Sequence, residues 1–424
     1  MMIGLAETGG YAIIAVALAH GTVGLYGVLR RRAWDARRRR TAREVFRERA
    51  SVLLEQAKAE RDRTEYSWNG VRKFVVSRKA SEARDICSFY LEPHDGLPLP
   101  PYQPGQYLTF QLKLPGRVKP LVRCYSLSDW ARAPQSYCVT VKRLGSPDTN
   151  DSAPAGLASS YFHDQMKEGA IVDVLAPRGH FCLDLARTKP IVLIGGGIGI
   201  TPLAAMLNAI CEAEVNVETW LFYGVRCRAD HAMYERLKEL ARNHGNIHMV
   251  VCYSRPTTEC VEGRDYDYEG HVDLDVLRRH LPSSNFRFYV CGPGPMMARL
   301  HRDLEAWGVP PDDIHFEAFG ADSVKPSARL RETASEPAVD HAEVVFAKSG
   351  KTLQWNSDDG VLLDFAVRHG VAMDSGCRAG NCGTCVLAVK EGNYEYMVQP
   401  GATTQQGTCL ACVAIPNGRL ILDA

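Results

Sequence analysis

The stretch KPIVLIGGGIGITPLAAMLNAI, Lys189 to Ile210, decides the fold of this 424-residue chain. An apolar run of strand length meets Gly195, Gly196, Gly197 and Gly199, and a helical pattern opens at Thr201-Pro202. Downstream, strand-like VETWLFYGV (217–225), IHMVVCYS (247–254), RFYVCGP (287–293) and DIHFEAF (313–319) recur. Helical AMYERLKELARN (232–243), VDLDVLRRHL (272–281) and PMMARLHRDLEAWG (295–308) separate them. Such alternation implies an α/β unit with a doubly wound parallel sheet. The glycine turn is not the Gly-x-Gly-x-x-Gly fingerprint, which would need Gly at position 200, where Ile200 stands. It also lacks the Gly-Lys-Ser/Thr ending of a P-loop. Bare backbone at a strand-to-helix turn still cradles a nucleotide phosphate, so Gly195, Gly196, Gly197, Gly199, Thr201 and Pro202 are candidate contacts. Cys291-Gly292-Pro293 ends a later strand, on the sheet edge where open α/β folds bind ligands.

Upstream, residues 70–187 read as short strands between turn clusters: VRKFVVSRKA, ICSFYLEP, YLTFQLKL, SYCVTVKRL and IVDVLAP, with a single helical stretch near Ser159–Lys167. That spacing predicts a small antiparallel β-barrel. Three local patterns sit in it: Arg123-Cys-Tyr125-Ser126, Gly156-Leu-Ala-Ser159 at a helix start, and Pro177-Arg-Gly179-His-Phe181. Arg can hold a pyrophosphate by paired hydrogen bonds, and Tyr can lie against an isoalloxazine ring while Ser faces its N5 edge. The Gly156 turn offers backbone N–H groups and a helix dipole to phosphate.

The tail carries the most specific pattern. Strand-like AEVVFAKSG and KTLQW precede a helical DGVLLDFAVRHG, and then comes Cys377-Arg-Ala-Gly-Asn-Cys382-Gly-Thr-Cys385, with Cys409 and Cys412 further on. Three Cys at x4 and x2 spacing with a distant fourth is the plant-type [2Fe–2S] ligand pattern. Structural zinc is the competing metal, but it favours two Cys knuckles at closer spacing. Spacing alone leaves Cys409 and Cys412 both open as fourth ligand. The other nine of the 14 Cys are scattered, several inside apolar runs, which suits small hydrophobes in a reducing compartment rather than a disulfide framework.

Composition bounds the rest. With 46% apolar and 23% charged residues the chain is globular, of a length for about three domains. Net charge is +1, yet residues 1–50 hold ten Arg against four acids. A nucleic-acid binder spreads its basic face over the folded body, so nucleic acid is excluded as a partner. The 21 residues Gly9–Leu29 carry no formal charge, and Arg30–Arg32 and Arg37–Arg40 follow them. That order predicts a signal anchor, a single transmembrane helix in the cell membrane with everything after it on the cytoplasmic side. Residues 36–64 read as one charged helix: a solvated spacer first, with a membrane-surface helix held by acidic lipids or a short dimerising coil as alternatives.

Taken together, residues 66–424 resemble the ferredoxin–NADP reductase superfamily in the order and spacing of Arg123–Ser126, Gly156–Ser159, Gly195–Pro202 and Cys291–Pro293. The domain order is similar to that of oxygenase reductases of the phthalate dioxygenase reductase type. Tyr223–Arg226 (YGVR) and Phe316–Gly320 (FEAFG) are similar to the reductase half of flavohaemoproteins. The expected chain is multidomain: the charge and hydropathy pattern gives a 1–30 transmembrane anchor and a 31–65 basic juxtamembrane helix, and the resemblance implies a 66–187 FAD-binding barrel, a 188–320 NAD(P)-binding domain, a 321–340 linker, and a 341–424 α+β ferredoxin domain of β-grasp type. It implies that Arg123, Tyr125 and Ser126 contact the flavin, that Thr201 and Cys291 lie near the nicotinamide, and that Phe319 approaches the flavin from the nucleotide side. Ser126, Thr201 and Cys291 are then the catalytic candidates, with Gly292 and Pro293 beside the nucleotide. Pro177-x-Gly179-x-Phe181 favours FAD over FMN. Leu410–Pro416 matches the final strand of such domains and selects Cys412 to complete Cys377, Cys382 and Cys385. The segment 145–155 is longer than the family pattern leads one to expect.

Electron counting orders the cofactors. Nicotinamide yields a hydride and the cluster takes single electrons, so a flavin must stand between them. The expected activity is NAD(P)H oxidation with electrons passed to a redox partner, an oxygenase, hydroxylase or desaturase, possessed of a site in or at the membrane. One alternative is a reductase for a haem or hybrid-cluster partner in nitrogen-oxide detoxification. Another, of a different class, is a flavin/iron–sulfur redox sensor. Arg226 and Arg228 are the residues placed to pair the 2′-phosphate that separates NADPH from NADH.

Overall fold

The computed structural model describes residues 30, 31, 34, 61, 65–145, 156–187, 189–318, 341–376, 378–380, 383–397, 400, 402 and 404–424. The run Gly9–Leu29, most of the charged helix 36–64, the linker 321–340, Phe319, Cys377 and Cys382 lie outside the described residues. Among the described residues, no helix is long and apolar enough to cross a membrane. The chain divides into two units, residues 1–65 and Tyr66–Ala424, and among the described residues the second unit holds three sheets.

The first sheet comprises β1 (Arg72–Ala83), β2 (Ile86–Pro93), β3 (Tyr107–Leu112), β4 (Leu121–Ser126), β5 (Tyr137–Lys142) and β6 (Ile171–Arg178). Its order is β4-β3-β6-β1-β2-β5 with every pairing antiparallel. Past the end of β4, Leu127 bridges Val139 of β5, which brings the two edge strands together as a barrel requires. Inward-facing Phe74, Val76, Phe89, Leu91, Phe110 and Val139 fill the interior with Phe162 from the helix Leu157–Asp164. That helix begins two residues before the expected start at Ser159 and ends three before Lys167.

The second sheet is parallel throughout: β7 (Ile191–Gly196), β8 (Thr219–Val225), β9 (Ile247–Tyr253), β10 (Tyr268–Glu269), β11 (Arg287–Gly292) and β12 (Ile314–Ala318), in the order β10-β9-β8-β7-β11-β12. Every residue of β7 is buried, as befits a central strand covered on both faces. Its side chains alternate between two cores: Ile191 and Leu193 join the helix Ile200–Glu212, while Val192 and Ile194 face Leu300 and Leu304 of the helix Gly294–Ala306. The two-residue β10 had no period of its own to announce it.

The third sheet is mixed: β13 (His341–Phe346), β14 (Lys351–Asn356), β15 (Val386–Tyr396), β16 (Thr408–Leu410) and β17 (Ala414–Leu422), ordered β14-β13-β17-β15-β16 with only β13 and β17 parallel. The helix Leu362–Arg368 packs Leu362, Leu363 and Phe365 into its core. The expected strand Leu410–Pro416 is interrupted: residues 411–413 form a turn, and Cys412 sits in that turn.

The parallel sheet shapes the site through one close approach. A Cβ on residue 199 would lie 2.2 Å from the Cys291 carbonyl oxygen, so only glycine lets the turn after β7 press against the end of β11. Gly199→Ala is expected to cost roughly 1–3 kcal/mol through forced backbone displacement. Gly245→Ala, where nothing lies within 4 Å, is expected to stay within about 0.5 kcal/mol of wild type. Urea unfolding of both variants checks this, and equal midpoints would show that the approach is slack.

Candidate functional site

Strand order reverses about β7: the chain runs outward through β8 and β9, then returns to place β11 and β12 on the other side. Crossovers leaving in opposite directions open a crevice at the carboxyl ends of β7 and β11. The glycine turn and Cys291-Gly292-Pro293 both lie there. Gly195, Cys291 and Glu317 stand in register across β7, β11 and β12. From the barrel, Ser126 at the end of β4 donates its hydroxyl proton to Glu317 Oε2 at 3.2 Å. The two sheets therefore meet where the sequence placed the candidate reacting residues.

This centre is polar but uncharged. Burial raises the Glu317 carboxyl to about 8, against an ordinary 4.5, and the Ser126 hydrogen bond only partly offsets it. Burial likewise raises the Cys291 thiol well above its ordinary value, with the neighbouring Glu317 carboxyl adding to the effect. Sequence reasoning named Ser126 and Cys291 but missed Glu317. The available signal was an acid inside the apolar strand run DIHFEAF, at the carboxyl end of a strand.

Around that centre the nucleotide candidates divide. Gly196 lies so near the start of the helix Gly294–Ala306 that a Cβ would meet Met296 Sδ at 2.5 Å, and Gly197 alone of the turn takes a left-handed φ of 54°. The helix Ile200–Glu212 starts without a side-chain cap and follows a 3-10 turn, Gly197–Gly199, whose Gly197 carbonyl accepts from the Ile200 N–H. Thr201 is buried and donates to the Ile198 carbonyl at 3.1 Å, so its oxygen can still accept a hydrogen bond but its proton is committed. Pro202 is buried in the helix's first turn, and Pro293 precedes the helix Gly294–Ala306, joined to β11 through Gly292. Arg226 is exposed beyond β8, and the Arg255 N–H donates to its carbonyl at 2.8 Å, so these two arginines stand on adjacent strand ends. Arg228 is instead stacked on Tyr234 at 3.6 Å and paired with Glu235 at 3.3 Å. The structure thus brings Arg255, which the sequence did not suggest, beside Arg226.

On the barrel side, Tyr125 packs edge-on against Phe110 and Phe162, and burial raises its phenol. Ser159 is committed to local structure: it donates to the Gly156 carbonyl at 3.0 Å and accepts from the Leu144 N–H at 3.1 Å. Gly156 precedes a helix without a side-chain cap. Arg123 Nη1 donates to the carbonyls of Val122 and Gly376, both at 2.8 Å, and no hydrogen bond or ion pair of Nε or Nη2 is formed among the described residues. A guanidinium with donors to spare, an uncapped helix start and a ring beside Ser126 suit a flavin nucleotide.

In the third domain, Cys385 and Cys412 are buried with their sulfurs 3.1 Å apart, and the Gly380 N–H donates to Cys412 Sγ at 3.3 Å. The loop turns through left-handed residues at Arg378, Gly380 and Gly383. Two converging thiols with a backbone N–H aimed at one of them fit half of a cluster's ligand set, since such N–H groups stabilise charge on ligating sulfur. Cys409 is fully buried and paired across the ladder with Leu387; burial pushes its thiol up to about 12, the mark of an inert neutral group.

Fold and site together define a nicotinamide-oxidising flavin reductase that carries its own iron–sulfur domain. Comparison with known proteins agrees. Residues 193–302 match the oxidoreductase NAD-binding domain, and residues 345–417 match the 2Fe-2S iron-sulfur cluster binding domain. The FAD/NAD-binding domain of nitric oxide dioxygenase from Vibrio cholerae is 32% identical, with 59% of this chain and all of that one aligned at a TM-score of 0.53. Phthalate dioxygenase reductase is 26% identical over 84% of this chain and 98% of its own, with a TM-score of 0.52. A flavohemoprotein from Halalkalibacterium halodurans is 38% identical over 255 residues, 60% of this chain. The chain spans 61% of that relative's length. The chain belongs to the ferredoxin–NADP reductase superfamily, and it is an NAD(P)H oxidoreductase using FAD and a [2Fe–2S] cluster.

Two outcomes test the site. The folded carboxyl of Glu317 holds its proton to about pH 8 while the unfolded one releases it near 4.5. The folded state therefore binds more protons between those values, and this contribution to stability is complete below about pH 4.5 and lost as pH rises to 8. Glu317→Gln, which does not titrate, should gain stability relative to wild type between pH 5 and 8 and hold a constant difference above; parallel urea curves at pH 5, 7 and 9 measure it. In the second test, Cys412→Ser should abolish the visible iron–sulfur absorption, whereas Cys409→Ser should retain it. The reverse pattern would exchange the ligand.

Proposed function

We propose that this chain is a membrane-anchored reductase supplying single electrons to an oxygenase, hydroxylase or desaturase. The observation that carries this is the double use of β4: Ser126 touches the nucleotide sheet at Glu317, and Arg123 touches the cluster loop at Gly376. One short strand thus adjoins the site of hydride donation and the site of one-electron exit. A bound flavin supplies the conversion between two-electron and one-electron chemistry there.

The protein's own groups divide the work. The glycine turn and the start of the helix Ile200–Glu212 would hold nucleotide phosphate, and Thr201 would fix ring position by accepting a hydrogen bond. Ser126 and neutral Glu317 form a proton-bearing pair at the reacting edge, and buried Cys291 excludes water from it. Arg123, Tyr125 and the Gly156 turn would hold the flavin; Cys377, Cys382, Cys385 and Cys412 would hold the cluster. Phe319 would close the site from the nucleotide side.

The uncharged run Gly9–Leu29 with its following arginines supports single-pass anchoring in the cell membrane, catalytic domains cytoplasmic. Anchoring raises the effective concentration of a membrane-bound partner. The similarity to flavohemoproteins over 60% of the chain supports a second reading, electron supply to a haem or hybrid-cluster partner that removes nitrogen oxides.

The test uses the full chain in detergent under anaerobic conditions. NADH or NADPH should bleach the flavin and then the cluster, and flotation with phospholipid vesicles should carry the protein upward. Arg226→Ala should raise KM for NADPH about tenfold, the effect of one lost charge-assisted phosphate contact, and leave KM for NADH unchanged. No bleaching would remove the reductase reading, failure to float would remove the anchor, and equal effects on both nucleotides would remove the 2′-phosphate role.

A further inference from the structure

The cluster loop is attached to the flavin domain at two points, of which the reductase reading uses only one. Arg123 Nη1 donates to the carbonyl oxygen of Gly376, the residue bonded to Cys377. Two residues earlier, Asp374 accepts from Lys119 Nζ at 2.7 Å. Lys119 lies two residues before β4 and Arg123 is its third residue. Both contacts therefore join one end of β4 to the three residues Asp374–Gly376.

We infer that Lys119 and Arg123 form a docking latch for the chain's own ferredoxin domain, and that Arg123 shares its guanidinium between that latch and the flavin. Arg stays charged at any working pH and carries five donors in a fixed fork. One nitrogen reaches the loop carbonyl, while Nε and Nη2 form no hydrogen bond or ion pair among the described residues and suit an anion. An anion on those donors fixes the fork in the orientation that the Gly376 carbonyl also needs, so filling either site favours the other. Such linkage is reciprocal by thermodynamic necessity. The Lys119–Asp374 pair is of another kind. Its side chains are 75% and 63% exposed, so it is weak, open to screening by salt, and suited to a contact that forms and releases. Arg123 thus sets the geometry, and the ion pair tunes how long the domain stays docked. Release matters because the loop face held against β4 is covered while docked, and an external acceptor must reach the cluster.

The inference rests on the proposed reductase reading, and its test separates the two. Lys119→Glu, Asp374→Lys and the double exchange are prepared in the full chain, with flavin and cluster content confirmed by absorption. In single turnovers with NAD(P)H, bleaching of the flavin should be unchanged in all three. Bleaching of the cluster should slow about threefold in each single variant at low salt, the scale of one exposed ion pair, and recover in the double exchange. Raising salt should slow the wild type by a similar factor. Hydrogen exchange supplies a readout apart from turnover: backbone amides of residues 371–376 should exchange faster when FAD is stripped, and Arg123→Lys should remove that difference. If flavin bleaching fails, the reductase reading falls and takes the latch with it. If flavin and cluster both bleach but neither charge reversal, salt nor FAD alters cluster bleaching or exchange, the latch alone is overturned. Slowing in the double exchange equal to the single variants would also overturn it.

Discussion

A six-residue strand, β4, is the constraint on which the rest of the molecule depends. Side chains of a strand alternate, so Arg123 and Ser126, three positions apart, project from opposite faces. One face reaches the carbonyl of Gly376, and the other reaches the carboxyl of Glu317. The strand is held in register by β3 along its whole length, from Leu121 opposite Leu112 to Ser126 opposite Tyr107. A shift of one residue would turn both contacts away at once. Three sheets are thereby joined through a segment whose pairing leaves it little freedom.

Much of this was legible in the chain because backbone demands leave marks in sequence. The glycine turn announces itself: residues 196 and 199 must let β7 and β11 approach, and no other side chain fits. The alternating strand and helix periods of residues 188–318 reflect a sheet buried on both faces, and the observed strands follow them closely. The spacing of Cys377, Cys382, Cys385 and Cys412 is legible for the same reason, since a metal cluster dictates its ligands; the structure describes two of the four, and these converge. What was not legible depends on contacts between distant elements. Glu317 looks like an ordinary acid on an edge strand until Ser126, 191 residues away, is brought to it. Arg255 pairs with Arg226 through a parallel ladder that no local pattern records, and Arg228 is diverted by Tyr234 and Glu235, two residues of the following helix. Lys119 and Asp374 carry no motif at all. The interruption of the last strand at residues 411–413 follows from tertiary need: the Ala411 N–H donates to the Cys385 carbonyl, which bends the chain so that Cys412 meets Cys385.

The distribution of charge gives the arrangement its sense. Cations stand at the margins, Arg123 on the barrel, Arg226 and Arg255 beyond the parallel sheet, where phosphate groups are the natural counterions. The centre between them holds Ser126, a neutral hydroxyl, with Cys291 and Glu317, whose ionisation burial suppresses. A hydride carries negative charge into whatever ring accepts it. A fixed carboxylate beside that ring would oppose the transfer, since Coulomb repulsion is poorly screened in a buried site. A protonated carboxyl does the opposite, because it can donate a hydrogen bond as negative charge arrives. Burying an acid without an ion-pair partner is costly, and the folded protein bears that cost at Glu317. The position is where three elements meet, β11 and β12 through register and β4 through Ser126. Desolvating Glu317 therefore requires the barrel and the parallel sheet to be closed on one another. The neutrality of the centre is a property of the assembled molecule, which neither sheet would have alone.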